Sequence, residues 1–142
     1  QSRFNSRFPN EMQKSDLHHL YPTDSKANSI RGNNEFAEVE GDDPVLSQFC
    51  SASHYGTSVE KMGGYFEPPE EHKGNVARAL FYFSVRYQLP ISAQEESFLR
   101  EWHVRDPVDA DEMDRNEMIY QVQDNRNPFV DYPELVSKIR DF

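Results

Sequence analysis

The chain changes texture at Pro68-Pro69, and that change limits what it can fold into more than any other feature. Before it, Pro9, Pro22, Gly32, Gly41, Pro44, Gly56, Gly63 and Gly64 break the sequence into short stretches. Beyond it, apolar residues recur at helical spacing. Pro68-Pro69 followed by Glu70-Glu71 reads as a helix entry, since proline is preset for a first turn and acids suit the positive end of the helix dipole. Val76, Leu80, Phe83 and Tyr87 then follow at intervals of four, three and four, and Leu89-Pro90 stops the pattern. Ser92 to Glu95 reads as a capping box, opening a helix that buries Phe98, Leu99 and Trp102. A third helix is expected from near Asp109 through Met113, Ile119 and Val122, and a short last one from Tyr132-Pro133-Glu134 with Leu135, Val136 and Ile139. In the front half, Phe36–Glu40 alternates like a half-buried strand, and Ser15 or Asp16 can cap a brief helix that Pro22 limits. Residues 41–64 read as an exposed acidic loop with little regular structure. The expectation is an α+β chain with an irregular front and a helical back.

With 142 residues, the length fits one domain. No run approaches the ~18–20 apolar residues of a membrane span, so no membrane partner is expected. Cys50 is the single cysteine, which rules out an internal disulfide and leaves the redox compartment open. The net charge of −10 by itself argues against a nucleic-acid partner. Its distribution weakens that objection: residues 1–33 carry five basic and three acidic groups, whereas residues 34–72 carry one basic and nine acidic.

That net-positive region holds the segment Ser15–Asn33, with two adjacent histidines, Asp16, Pro22, Asn28, Arg31 and Asn33. Imidazole binds a divalent ion or moves a proton, and guanidinium grips phosphate in a bidentate fork, so the mixture suits metal-assisted phosphodiester chemistry. Neighbouring side chains on a helix diverge by roughly 100°, so one of His18 and His19 is expected to face a site and the other the protein or solvent. The plain alternative is a surface histidine pair beside a polar loop, with Arg31-Gly32-Asn33 as a turn holding Gly32 at positive φ. Elsewhere the signals are structural. Arg78 and Arg86 read as the solvated side of a helix, Glu112 and Arg115 as a helical ion pair, and Asn125 and Asn127 as braces of a turn. His54, His72 and His103 lack ligand spacing, and no Gly-rich phosphate loop, Cys-x-x-Cys site or Ser/His/Asp set is present. Asp16–Asn33 therefore remains as the candidate reaction centre.

The chain resembles the bacterial endonuclease I family of periplasmic or secreted nucleases. The resemblance runs through S-D-L-H-H-L-Y-P-T at 15–23, N-S-I-R-G-N at 28–33, F-E-P-P at 66–69 and G-N-V-A-R-A-L-F-Y-F-S-V-R-Y at 74–87. It continues in W-H-V-R-D-P-V at 102–108, E-M-D-R-N-E-M-I at 112–119 and Q-D-N-R-N-P-F-V-D-Y-P-E-L at 123–135. It implies a ββα-metal, or His-Me finger, core in the N-terminal half with a mainly helical C-terminal half. The whole of 1–142 then forms one domain, with residues 1–67 as the metal-site half, including the acidic loop 34–67, and residues 68–142 as the helical half. It further implies a periplasmic or secreted location and DNA, with RNA as a second substrate, gripped through the phosphate backbone. The implied cofactor is a divalent ion, Mg²⁺ first, with Mn²⁺, Ca²⁺ or Zn²⁺ as others.

By the same resemblance, His19 stands where the family usually has an asparagine metal ligand. Gln1-Ser2-Arg3-Phe4 looks like the end of the family's E-H-x-x-P-Q-S-x-F element, which implies that the base histidine and its glutamate precede Gln1 and that this core is incomplete here. Arg3 and Arg7 are then candidates to steady the product phosphate, with Arg31, His18 and Asn33 on the nucleic-acid side. A second reading follows the general HNH pattern, with His19 as the general base and Asn28 as a metal ligand. A third keeps the scaffold as a non-catalytic binding module for nucleic acid or protein. Oligomeric state is not legible.

Overall fold

The computed structural model describes residues 4–41, 48–58 and 64–142. It is an α+β structure. A short helix α1 (Asn10–Lys14) leads into a 3-10 turn at Leu17–His19 and then helix α2 (Ser25–Arg31). Four strands follow: β1 (Glu35–Phe36), β2 (Val39–Glu40), β3 (His54–Ser58) and β4 (Tyr65–Glu67). The rest is helical, with a 3-10 turn at Glu70–His72, then α3 (Lys73–Tyr87), α4 (Ala93–Arg105), α5 (Ala110–Gln123), α6 (Pro128–Asp131) and a closing 3-10 segment at Pro133–Lys138.

The sheet runs in the order β1-β4-β3-β2, with β1 parallel to β4 and the other two pairs antiparallel. The expected strand at Phe36–Glu40 is divided between β1 and β2, on opposite edges of the sheet, with Ala37 and Glu38 as the crossing. Strand β3 corrects the expectation of an irregular loop over 41–64. Tyr55 pairs with Phe66 on one side while Val39 pairs with Ser58 on the other, so tertiary partners make a strand from a stretch with little pattern of its own. Residues 42–47 and 59–63 of that loop lie outside the described residues.

Helix α3 is the centre of the packing. It lies along α4 and touches the 3-10 turn at Leu17–His19 as well as α6. Phe81, Leu99 and Trp102 are fully buried, and Phe36, Phe66, Phe129 and Phe142 close around them. Ser92 caps α4 as expected, its Oγ accepting from Glu95 N at 3.2 Å. The Glu95 carboxylate does not return to complete the box; it accepts from Phe36 N at 2.9 Å, satisfying a donor at the sheet edge. Helix α5 starts at the Asp109 cap, but its inward face is not the apolar set expected: Met113 and Val122 are exposed, while Glu112, Asn116 and Ile119 are buried.

That polar face exists because Arg78 is wholly buried, which corrects its reading as a solvated residue. Glu112 meets it rather than pairing with Arg115: Arg78 Nε donates to Glu112 Oε1 at 2.8 Å and Arg78 NH1 to the Asp106 carbonyl at 2.8 Å. A second buried cation, Lys73, stands 2.7 Å from Glu67, 3.0 Å from Glu38 and 2.5 Å from Glu70. Trp102 Nε1 and Arg105 also donate to Glu38, at 2.7 and 2.9 Å, so this cluster joins the sheet to α3 and α4. Between the two cations, Gly74 lets the α3 backbone approach the end of α4: its N–H donates to Asp106 Oδ2 at 2.7 Å.

These contacts govern both how tightly α3 can pack and how the fold responds to acid. A Cβ at Gly74 would lie 1.9 Å from the Asp106 carbonyl oxygen. Gly74→Ala should therefore lower stability by about 2–3 kcal/mol, as overpacking against backbone does, read as a drop in the urea midpoint; a midpoint equal to that of wild type refutes the contact. The second effect concerns acid. Burial works against the Glu38 charge, but hydrogen bonding with Glu67, Trp102 and Lys73 and the Lys73 charge outweigh it, holding its pKa at about 2 against an ordinary 4.5. A carboxyl depressed on folding stabilises above its unfolded pKa and loses that stabilisation as pH falls toward the folded one. Stability should thus decline between about pH 4.5 and pH 2, and Glu38→Gln should flatten the slope of urea midpoint against pH in that window. An unchanged slope contradicts this account.

Candidate active site

The Leu17–His19 turn is built around Asp16. Its backbone is extended and its side chain caps the turn, Oδ1 accepting from His18 N at 3.0 Å. The same carboxylate accepts from Gln123 Nε2 at 2.9 Å and, on Oδ2, from the Tyr82 and Tyr87 hydroxyls at 2.7 Å each. Arg86 Nε lies 3.6 Å from Oδ2. Burial opposes the charge on Asp16, yet the bonds from Gln123, Tyr82, Tyr87 and His18 outweigh it and hold the carboxyl below its ordinary pKa. The turn is thereby tied to α3 through two tyrosines and to α5 through a glutamine.

The two histidines separate as their adjacency requires. His18 points inward, 2% exposed, with Nε2 donating to the Asn125 carbonyl at 3.1 Å and its ring 4.7 Å from that of Tyr82. Burial pushes its pKa down, only partly offset by the Asn125 carbonyl and Asp16, which favours the neutral ring. This burial corrects the placement of His18 on the nucleic-acid side: its ring packs the turn onto the protein. His19 is half-buried, its ring 4.4 Å from that of Phe83.

The other expected site residues fall into two groups. Arg7 is exposed and its guanidinium reaches Gln88 Oε1 at 3.4 Å, just past the end of α3. Asn28 and Arg31 lie on α2, Asn28 exposed and Arg31 turned so that its guanidinium sits 4.6 Å from the centre of the Phe36 ring. Asn33 is exposed in the turn after α2, where Gly32 has φ of +50°, as a turn at Arg31-Gly32-Asn33 requires. Arg3 lies outside the described residues. Sequence reasoning saw Asp16 only as a cap and missed Tyr82, Tyr87 and Gln123 as its surroundings; it read Arg115 as the helical partner of Glu112, whereas its guanidinium reaches the Leu17 and Leu20 carbonyls. The one available signal was the eight-residue spacing of Arg115 and Gln123, which puts both on one face of α5.

Among the described residues, one group of acids is close enough to surround a metal ion: Glu38, Glu67 and Glu70. Lys73 already supplies the cation there, bonding all three, so this group does not fit a divalent ion. No group of three or more His, Cys, Asp or Glu donors among the described residues includes His19. His19 offers one imidazole donor from the edge of the turn.

The chain belongs to the Endonuclease I family, whose family model matches residues 1–134. It is 38% identical, over 87% of its length, to an extracellular ribonuclease of Bacillus subtilis (strain 168), of which it covers 46%. It is 30% identical, over 82% of its length, to an extracellular deoxyribonuclease of Aeromonas hydrophila, of which it covers 48%. A relative named Endonuclease-1 from Buchnera aphidicola (subsp. Acyrthosiphon pisum) is 29% identical over 82% of the chain and covered to 44%. The chain thus spans about half the length of the curated relatives it matches. Among the described residues no helix is long and apolar enough to cross a membrane.

Asp16→Asn tests the hub, because asparagine keeps the cap but removes the charge that both tyrosines address. Loss of charge-assisted bonds should lower stability by about 2–3 kcal/mol in urea unfolding. A variant as stable as wild type shows that the hub contributes nothing.

Proposed function

We propose that the protein is a metal-dependent endonuclease that hydrolyses phosphodiester bonds of DNA or RNA with little sequence specificity, outside the cytoplasm, on a His-Me finger type of core. Family membership and relatives named as extracellular ribonuclease and deoxyribonuclease support this reading. The observation that carries it is the Asp16-anchored turn, which locks His18 inward and leaves His19 half-buried beside Phe83. Relatives named for both polymers point to the phosphate backbone, their shared part, as what is gripped; backbone contacts position a substrate without reading bases.

His19 serves as one metal ligand, a role suited to neutral imidazole. A divalent ion held there would supply positive charge to stabilise the transition state of phosphodiester hydrolysis. What this chain's own residues do is narrower. His18, Asp16 and the two tyrosines fix the turn, and Arg86, its ring neighbours Tyr82 and Tyr87 at 6.0 and 5.6 Å, brings a cation to its side. Arg7 adds a second, exposed cation off the end of α3, with Arg3 as its companion by the family resemblance. Asn28, Arg31 and Asn33 flank the turn on the α2 side as further contacts to the nucleic acid.

The test uses the product of the complete reading frame in a supercoiled-plasmid nicking assay with Mg²⁺ or Mn²⁺. His19→Ala should lower the rate at least about 100-fold, the scale of losing a group that acts at the reacting centre, with little change in melting temperature. His19→Asn separates the two roles. Asparagine can bind a metal but cannot take a proton, so retained activity supports the ligand and loss equal to alanine supports a general base. Wild-type-like cleavage by His19→Ala would remove His19 from the site.

A further inference from the structure

We propose that Arg115 is a positioning residue for His19, which rests on reading His19 as a functional group of a nuclease. Arg115 NH2 donates to the carbonyls of Leu17 at 2.6 Å and Leu20 at 2.8 Å, the residues on either side of the His18-His19 pair. Its guanidinium lies 4.2 Å from the centre of the Tyr21 ring, the next residue along. Eight residues further on the same face of α5, Gln123 Oε1 accepts from Leu17 N at 3.1 Å. Helix α5 therefore holds the turn from outside at three backbone atoms.

The turn needs that support. A three-residue 3-10 turn has poor hydrogen-bond geometry of its own. Here its bonds are long: His19 N donates to the Asp16 carbonyl at 3.5 Å and Leu20 N to the Leu17 carbonyl at 3.3 Å. The bonds from Arg115 are 0.5 Å or more shorter than the second of these, and they involve a charged donor, so they dominate the local geometry. His18 is fixed by its own burial, but the placement of His19 depends on the peptide planes at Leu17 and Leu20, which one guanidinium nitrogen sets together. A planar guanidinium both stacks on Tyr21 and serves two carbonyls, which the compact ammonium of lysine does less well. Arg115 thus acts through His19 and not on the substrate.

The complete gene product is compared with Arg115→Met and Arg115→Lys under Mg²⁺ on supercoiled plasmid, together with NMR of the ¹⁵N-labelled histidine imidazoles. The methionine variant should lose about 10–100-fold in kcat with KM within twofold, the lysine variant should recover part of it, and the His19 imidazole signals should move while those of His103 do not. A rise in KM with kcat unchanged would make Arg115 a phosphate contact and overturn the proposal. So would unchanged His19 signals in a variant whose only defect is a lower melting temperature. If the wild type does not cleave, the nuclease reading fails; the imidazole signals still decide whether Arg115 places His19.

Discussion

The buried carboxylate of Asp16 is the interaction on which the front of this molecule depends. It receives two tyrosine hydroxyls from α3, a glutamine amide from α5 and a backbone N–H from the turn it caps. A single carboxylate can accept several bonds at once, and each is stronger for being made to a charge. Among the described residues it is the one group in this segment that bonds both α3 and α5 through a buried charge, beside the ties that Arg115 and Gln123 make to the Leu17 and Leu20 backbone. With it, His18 is drawn into the protein and His19 is left at the edge, so the two neighbouring histidines acquire different environments from one anchor.

Two buried cations do the corresponding work at the start of α3. Lys73 gathers glutamates from the sheet side, and Arg78 takes Glu112 from α5. Removing one partner from such a pair leaves an uncompensated charge in the interior, at a cost of about 3–5 kcal/mol, so these pairs constrain how sheet and helices meet. They also account for part of the chain's acidic excess. Those glutamates surround Lys73 within the fold, while Arg86 stands 3.6 Å from Asp16 beside the histidine turn.

Much of the helical half was legible because its signals are local. The Ser92 and Asp109 caps begin α4 and α5 where expected, and Leu99 and Trp102 are buried as their spacing requires. The misreadings share a cause. Arg78, Glu112 and Asn116 are polar residues buried against one another from different elements, and a hydrophobic period cannot detect an interior made of paired charges. Strand β3 was invisible for a similar reason: its Tyr55 and Gly56 take their conformation from β2 and β4. In the site, the sequence named the histidines and Asp16, whereas Tyr82, Tyr87, Gln123 and Arg115 lie from about 66 to 107 residues away in the chain and become neighbours only on folding.

By itself the sequence determined the family, the α+β division near Pro68 and the three long helices α3, α4 and α5, because each of these is written in local composition, spacing or motif order. Tertiary structure decided which histidine faces inward, which cations are buried, and that an arginine on α5 grips the backbone around His19. Those outcomes depend on which distant groups share one low-dielectric interior, where a charge must find its partner, and no linear pattern states which partner that will be.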